Sequence, residues 1–229
     1  LMKHFLGLIG KVLWSILMSF NMWGEESPTQ HPINEDFELT HEQKMDKYHK
    51  PLVAFDRDGV LFESNGIPIR SREEATPIEG AFAAIGIIRR KGYKIAMVCD
   101  QPAIASGELT NEQVEDINGY VIDLLGDANC PSIDCMLYNT SNEKYDLYAK
   151  PNKGMFDRLR DEFRVPIKGG FYIGDQVIDA KFALKSKLKP IIVKTGMFDE
   201  KRWNSFSNEK YRKATKIYDT LMEFAHTLP

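Results

Sequence analysis

Residues 51–61 read PLVAFDRDGVL. Leu52 to Phe55 is an apolar run that stops at Asp56, the form of a short strand buried on both faces as in a parallel sheet. The segment Asp56-Arg57-Asp58-Gly59 then sets two carboxylates and a glycine at the strand's carboxyl end. In extended backbone, residues two apart face the same side, so Asp56 and Asp58 are placed to share one. Outward from this point the chain alternates. Pro77 and Gly80 open a helix closed by Gly92, and Lys94 to Cys99 is the next apolar strand. Thr110 to Gly126 is helical in pattern, with Thr110, Asn111 and Gln113 suited to its start. Ile133 to Tyr138 follows as a strand, Gly154 to Phe163 as a helix, and Gly170 to Ile173 as a strand. Ile178 to Lys187 is helical, Pro190 to Val193 is a fifth strand, and Asn208 to His226 reads as a last helix used for packing. Strands alternating with helices predict an α/β fold, a doubly wound parallel sheet covered on both faces.

Such sheets place their ligand sites at the carboxyl ends of the strands. Here those ends carry Asp56 and Asp58, then Cys99-Asp100-Gln101, then Gly174-Asp175, with Lys150-Pro151 just ahead of the helix at Gly154. An aspartate alone is an ordinary cap or turn residue. Three strand ends that carry polar groups together read as a site.

The rest of the composition sets bounds. The chain has 229 residues, a formal net charge of −3, 43% hydrophobic and 28% charged residues, the profile of a globular protein. A pI near 6.0 leaves no basic footprint, so nucleic acid is not an expected partner. Three cysteines, Cys99, Cys130 and Cys135, are too few for a disulfide scaffold and favour a reducing, cytoplasmic compartment. The chain divides into an apolar N-terminal helix over 1–22, a polar linker over 23–50, and a domain over 51–229. Residues 5–20 (FLGLIGKVLWSILMSF) are short for a bilayer crossing, which takes about 20 apolar residues. They allow an interfacial anchor, an uncleaved signal-anchor, or a helix packed on the chain's own core, so membrane association through this segment stays open.

The motifs resemble those of the haloacid-dehalogenase-like (HAD) hydrolases, in the branch of histidinol-phosphate and heptose-bisphosphate phosphatases. Phe55 to Leu61 (FDRDGVL) is similar to the branch's first motif in its DRDG form. Thr76-Pro77-Ile78-Glu79-Gly80, then Asp100 to Gly107 (DQPAIASG) with Thr110 to Gln113, and Lys150 to Met155 (KPNKGM) continue it. Tyr172 to Asp179 (YIGDQVID) and Lys194-Thr195-Gly196 close it. The resemblance implies a Mg²⁺-dependent phosphomonoesterase that works through an aspartyl-phosphate on a small phosphorylated metabolite such as a sugar phosphate. It implies Asp56 as nucleophile, Asp58 as acid and base, and Lys150 as the cation beside them. Asp56, the carbonyl of Asp58 and Asp175 are the implied metal ligands, with Asp179 orienting that shell. Cys99, Asp100, Gln101 and Lys150 stand at the implied phosphate-binding positions. The chemistry agrees with the residue types: a carboxylate nucleophile facing a phosphate dianion needs a cation between them, and Mg²⁺ prefers hard oxygen ligands.

The pattern also breaks. Cys99 stands where the family has Ser or Thr, and a thiol is the weaker donor. Asp100 stands where the branch has Asn, adding negative charge near a phosphate site. The stretch 139–149 lacks the Cys/His cluster that binds zinc in many members, so no zinc is expected, and Ala149 replaces a common basic residue. Short connections imply a minimal cap. These departures keep open a weakly active or inactive HAD-fold scaffold and, less so, a nucleic-acid 3′-phosphatase.

Overall fold

The computed structural model describes residues 50–229, apart from 129, 131–132, 144 and 164–165. The N-terminal apolar helix expected over 1–22, and with it the membrane question, lies outside the described residues. So does the linker over 23–50, save that Lys50 already begins the first strand. Among the described residues no helix is long and apolar enough to cross a membrane.

The described elements run β1 (Lys50–Phe55), α1 (Ala81–Arg90), β2 (Tyr93–Asp100), α2 (Asn111–Asp127), β3 (Cys135–Asn139), α3 (Gly154–Phe163) and β4 (Phe171–Gly174). They continue with α4 (Val177–Lys185), β5 (Lys189–Val193), α5 (Glu200–Ser205), α6 (Glu209–Ala214), β6 (Lys216–Tyr218) and α7 (Leu221–Thr227). The six strands form one sheet in the order β3-β2-β1-β4-β5-β6. Every neighbouring pair is parallel. Order reversal beside β1 makes this the doubly wound architecture, with its crevice at the carboxyl ends of β1, β2 and β4.

Strand alternation builds the two covering layers. Val53 and Phe55 point into one core with Ile85 of α1, Ile117 of α2 and Phe224 of α7. Leu52 and Ala54 point into the other with Leu159 of α3 and Phe182 of α4. Burial on both faces is why β1 reads as a continuous apolar run rather than an alternating one. α2 begins with a reciprocal cap: Gln113 N–H donates to Thr110 Oγ1 at 3.2 Å, and Thr110 N–H donates to Gln113 Oε1 at 2.9 Å.

The single last helix expected over 208–226 is instead two short helices flanking β6. Ile191–Val193 of β5 pair with Lys216–Tyr218, and Thr220 caps α7 by accepting from Glu223 N–H at 3.2 Å. A three-residue edge strand is too short to show a periodicity of its own; its existence depends on the β5 edge it completes. Between β1 and α1 the chain makes only isolated bridges, at Asp58–Phe62 and Phe62–Pro77, so no domain is inserted there.

Candidate active site

Each polar group of the site leaves the sheet at a strand end. Asp56 extends the β1–β4 ladder, its N–H donating to Ile173 O at 2.9 Å, and its side chain Oδ1 accepts from Arg57 N–H at 2.8 Å. Lys150 arrives from the loop ahead of α3 and is buried. Its Nζ donates to Asp56 Oδ2 at 2.5 Å, to Asp179 Oδ1 at 2.8 Å and to Tyr172 Oη at 3.3 Å. All three ammonium protons are thereby used. Tyr172 in turn donates to Val98 O at 2.6 Å, fixing it behind the lysine.

Asp175 and Asp179 come from the β4–α4 junction and are each 1% exposed. Asp179 Oδ2 accepts from Gln176 N–H at 3.0 Å at the start of α4, and Asp175 Oδ2 accepts from Met197 N–H at 2.6 Å. Two glycines make the crowding tolerable. Gly59 has φ +84, and a Cβ there would collide with the Asp175 carboxylate; a Cβ on Gly174 would collide with that of Asp179.

Burial pushes the Asp56 carboxyl up to about 8, with Lys150 pulling it down and Asp179 adding to the rise. Burial and Asp179 likewise push Asp175 up to about 6. Burial opposes the charge on Lys150, but Asp179 and Asp56 outweigh it and hold the ammonium well above its ordinary value. One condition explains all three: three buried carboxylates face one cation, so negative charge is in excess. Asp56, Asp175 and Asp179 each offer an oxygen within 4.8 Å of the others, and Asp175 Oδ1 is a buried acceptor with no hydrogen-bond partner among the described residues. An all-oxygen, net-negative cluster with an unfilled acceptor suits a hard divalent cation such as Mg²⁺.

Asp58 sits beside this cluster with its carboxylate gripped. Arg57 donates to it twice, Nε to Oδ1 at 2.9 Å and Nη2 to Oδ2 at 3.1 Å, and Gln101 Nε2 donates to Oδ2 at 2.9 Å. Burial alone would raise the Asp58 carboxyl, but the Arg57 charge and these bonds prevail and hold it below its ordinary value.

Asp56, Lys150, Asp175 and Asp179 therefore meet directly, with Asp58 and Gln101 joined at their side. Asp100 lies behind them: its Oδ2 accepts from Lys150 N–H at 3.0 Å and its Oδ1 from Asn139 Nδ2 at 3.2 Å. The charge that looks unfavourable in sequence is thus bound to the backbone of the loop that carries the lysine. Cys99 is on the other face of β2, packed with Met97 and Ile117, its Sγ 4.0 Å from Leu137 O. Burial pushes its thiol up to about 12, so it is a neutral core group. Tyr172 and Thr195, whose hydroxyl donates to Gly59 O at 2.6 Å, lie in motifs quoted above but were given no role there, and Asn118 was not singled out at all. The signal for Asn118 is an amide on the buried face of α2 between Ile117 and Val121.

With this geometry in hand, the likeness to known proteins is specific. Residues 147–224 match the family model for HAD-hydrolase-like proteins. A D-glycero-D-manno-heptose-1,7-bisphosphate 7-phosphatase of Chlorobaculum tepidum is 35% identical over 162 residues, spanning 65% of this chain and 81% of that protein. The chain belongs to the HAD-like hydrolases and is a phosphatase of that class, a phosphoric monoester hydrolase. Among its relatives, the D-glycero-beta-D-manno-heptose-1,7-bisphosphate 7-phosphatase of Pseudomonas putida is 27% identical over 179 residues, 77% of this chain and 98% of that one. The crystal structure of D,D-heptose 1.7-bisphosphate phosphatase from B. bronchiseptica, complexed with magnesium and phosphate, has the same fold. Its TM-score is 0.69 at 19% identity, over 78% of this chain and 97% of the other.

Proposed function

We propose that the chain removes one phosphoryl group from a small phosphorylated sugar, with a heptose bisphosphate as the first candidate. The meeting of Asp56, Lys150, Asp175 and Asp179 carries this reading, and the names of the relatives supply the substrate class. The carboxylates of Asp56 and Asp175 and the carbonyl of Asp58 would hold Mg²⁺, which would supply charge neutralisation for the nucleophile facing phosphate. Asp179 fixes the position of that set through Lys150 and Gln176 N–H.

Asp56 Oδ attacks phosphorus in line with the leaving oxygen, forming an aspartyl-phosphate as the phosphorus–oxygen bond to the sugar breaks. Asp58 gives its proton to the departing alkoxide. The substrate dianion beside it favours that proton and offsets the pull of Arg57. Asp58 then takes a proton from water as that water attacks phosphorus and frees Asp56. Lys150 stays charged throughout and lowers the repulsion between Asp56 and phosphate. Asp100 and Gln101 act from behind, one on the Lys150 loop and one on Asp58. With its side chain turned into the core, Cys99 stands for packing rather than phosphate contact.

The test is phosphate release by the full chain from D-glycero-D-manno-heptose 1,7-bisphosphate, hexose phosphates, nucleotides and 3′-phosphorylated DNA, with Mg²⁺ or EDTA. Turnover of the sugar phosphates that needs Mg²⁺ and is lost in Asp56→Asn is the expected result. Metal-independent turnover, or an active Asp56→Asn, overturns the reading. Preference for the DNA substrate would replace the proposed substrate class.

A further inference from the structure

The first motif carries a residue that this chemistry leaves unused. Arg57, between the two aspartates, is 0% exposed, the largest fully buried side chain among the described residues. A buried guanidinium is destabilising unless its charge is met, and an apolar residue would fill the same space without that penalty. Its donors are met by two groups. Nε and Nη2 fork onto Asp58, while Nη1 donates to Asn118 Oδ1 at 3.0 Å. Asn118 is itself anomalous: it sits on the core face of α2 among Val114, Ile117 and Val121, where its amide has low helix propensity and no apolar surface to offer. Gln101 closes the set from the end of β2. Arg57 and Gln101 thus meet on one carboxylate, and Asn118 of α2 holds Arg57 from behind.

The bond pattern has a direction. Among the described residues, Asp58 Oδ2 accepts from both Arg57 and Gln101, whereas Oδ1 accepts from Arg57 alone. The Asp58 side chain keeps 25% of its surface exposed while Arg57 keeps none. The fork fixes the carboxylate plane, as bidentate Arg–carboxylate pairs do, and leaves Oδ1 with a lone pair that no donor among the described residues meets.

We infer that Arg57 and Asn118, with Gln101, are positioning residues that aim Asp58 Oδ1 at the leaving oxygen of the phosphoryl ester. This rests on the proposed role of Asp58 as acid and base. In the first step the proton leaves Asp58 Oδ1 for the alkoxide as the phosphorus–oxygen bond breaks. In the second, Oδ1 recovers a proton from the attacking water. The fork moves no proton; it holds the plane in which both transfers occur.

Aryl phosphates of similar shape and different leaving groups separate this role from a structural one. 4-Nitrophenolate leaves with little proton help, whereas phenolate and 4-methoxyphenolate need more. A positioned general acid contributes about 10²–10⁴-fold, so its misalignment raises the barrier most for the poorest leaving group. Steady-state kcat and KM of wild type, Arg57→Lys, Arg57→Met and Asn118→Leu are measured on 4-nitrophenyl, phenyl and 4-methoxyphenyl phosphate, with Mg²⁺-dependent thermal shift as the check on fold and metal site. The expected result for Arg57→Met is a loss in kcat at least about tenfold larger on phenyl than on 4-nitrophenyl phosphate, with KM little changed. Arg57→Lys and Asn118→Leu should show the same trend more weakly. Should Arg57→Met not fold, the trend in those two variants decides the matter. An equal loss on all three esters in folded variants overturns the positioning role and leaves Arg57 a core ion pair. A wild type whose aryl phosphatase activity survives Asp56→Asn overturns instead the mechanism on which the inference rests.

Discussion

Binding of Mg²⁺ to this site should expel about one proton at neutral pH. Without a cation, burial and neighbouring carboxylates push Asp56 up to about 8 and Asp175 up to about 6. At pH 7 a group titrating near 8 is about nine-tenths protonated, and one near 6 about one-tenth, so a ligand set that needs both ionised releases about one proton. The apparent affinity should then climb about tenfold per pH unit between pH 6 and 8, about 1.4 kcal/mol per unit, and level off above. The stability of the metal-free chain follows with the opposite sense. A carboxylate raised in the fold contributes stability that is present below its unfolded value near 4 and lost as pH rises toward 8. The metal-free chain therefore weakens over that window, and saturating Mg²⁺ restores it. At 100 times Kd the metal contributes about 2.7 kcal/mol, a rise in Tm of roughly 5–10 °C for a domain of this size. Calorimetric titration with Mg²⁺ in two buffers of different ionisation heat, at pH 6.5, 7 and 9, counts the proton directly. Release of no proton at pH 7, together with a Kd unchanged from pH 7 to 9, would refute the charge-excess account of the site. In Asp175→Asn both the proton release and the Tm shift should largely disappear.

Three further outcomes follow from single contacts. Lys150→Met strips the shared cation from Asp56 and Asp179 and should cost about 3–5 kcal/mol, read as a lower urea midpoint, with Mg²⁺ recovering part of it. Gly59→Ala forces a side chain to φ +84 against the Asp175 carboxylate; backbone strain of about 1–2 kcal/mol lowers Tm, and the Mg²⁺ shift is lost. Cys99→Thr, which restores the residue type the family carries, should change kcat by less than about threefold, because that side chain faces Leu137 O and the core. A tenfold gain in kcat there would place the thiol in phosphate contact after all.

Much of this protein was legible before any coordinate. The runs at 52–55, 94–99 and 190–193 are buried on both faces, so each announced a parallel strand without help from the rest of the chain. The cap at Thr110 and the helix at Gly154–Phe163 are local in the same sense: their hydrogen bonds close within a few residues. The carboxylates at 56, 58 and 175 could be singled out because parallel sheets gather ligands at strand ends, whatever the details. Other features are made by partners far away in sequence. β6 exists because β5 offers an open edge. Asp100 is harmless because it binds the backbone of Lys150, 50 residues on, and Arg57 is tolerable because Asn118 stands 61 residues away. The face taken by Cys99 and the unfilled oxygen of Asp175 belong to the same kind. A charge or a thiol acquires its meaning from burial and from the groups that meet it there, and both are set by segments that only packing brings together.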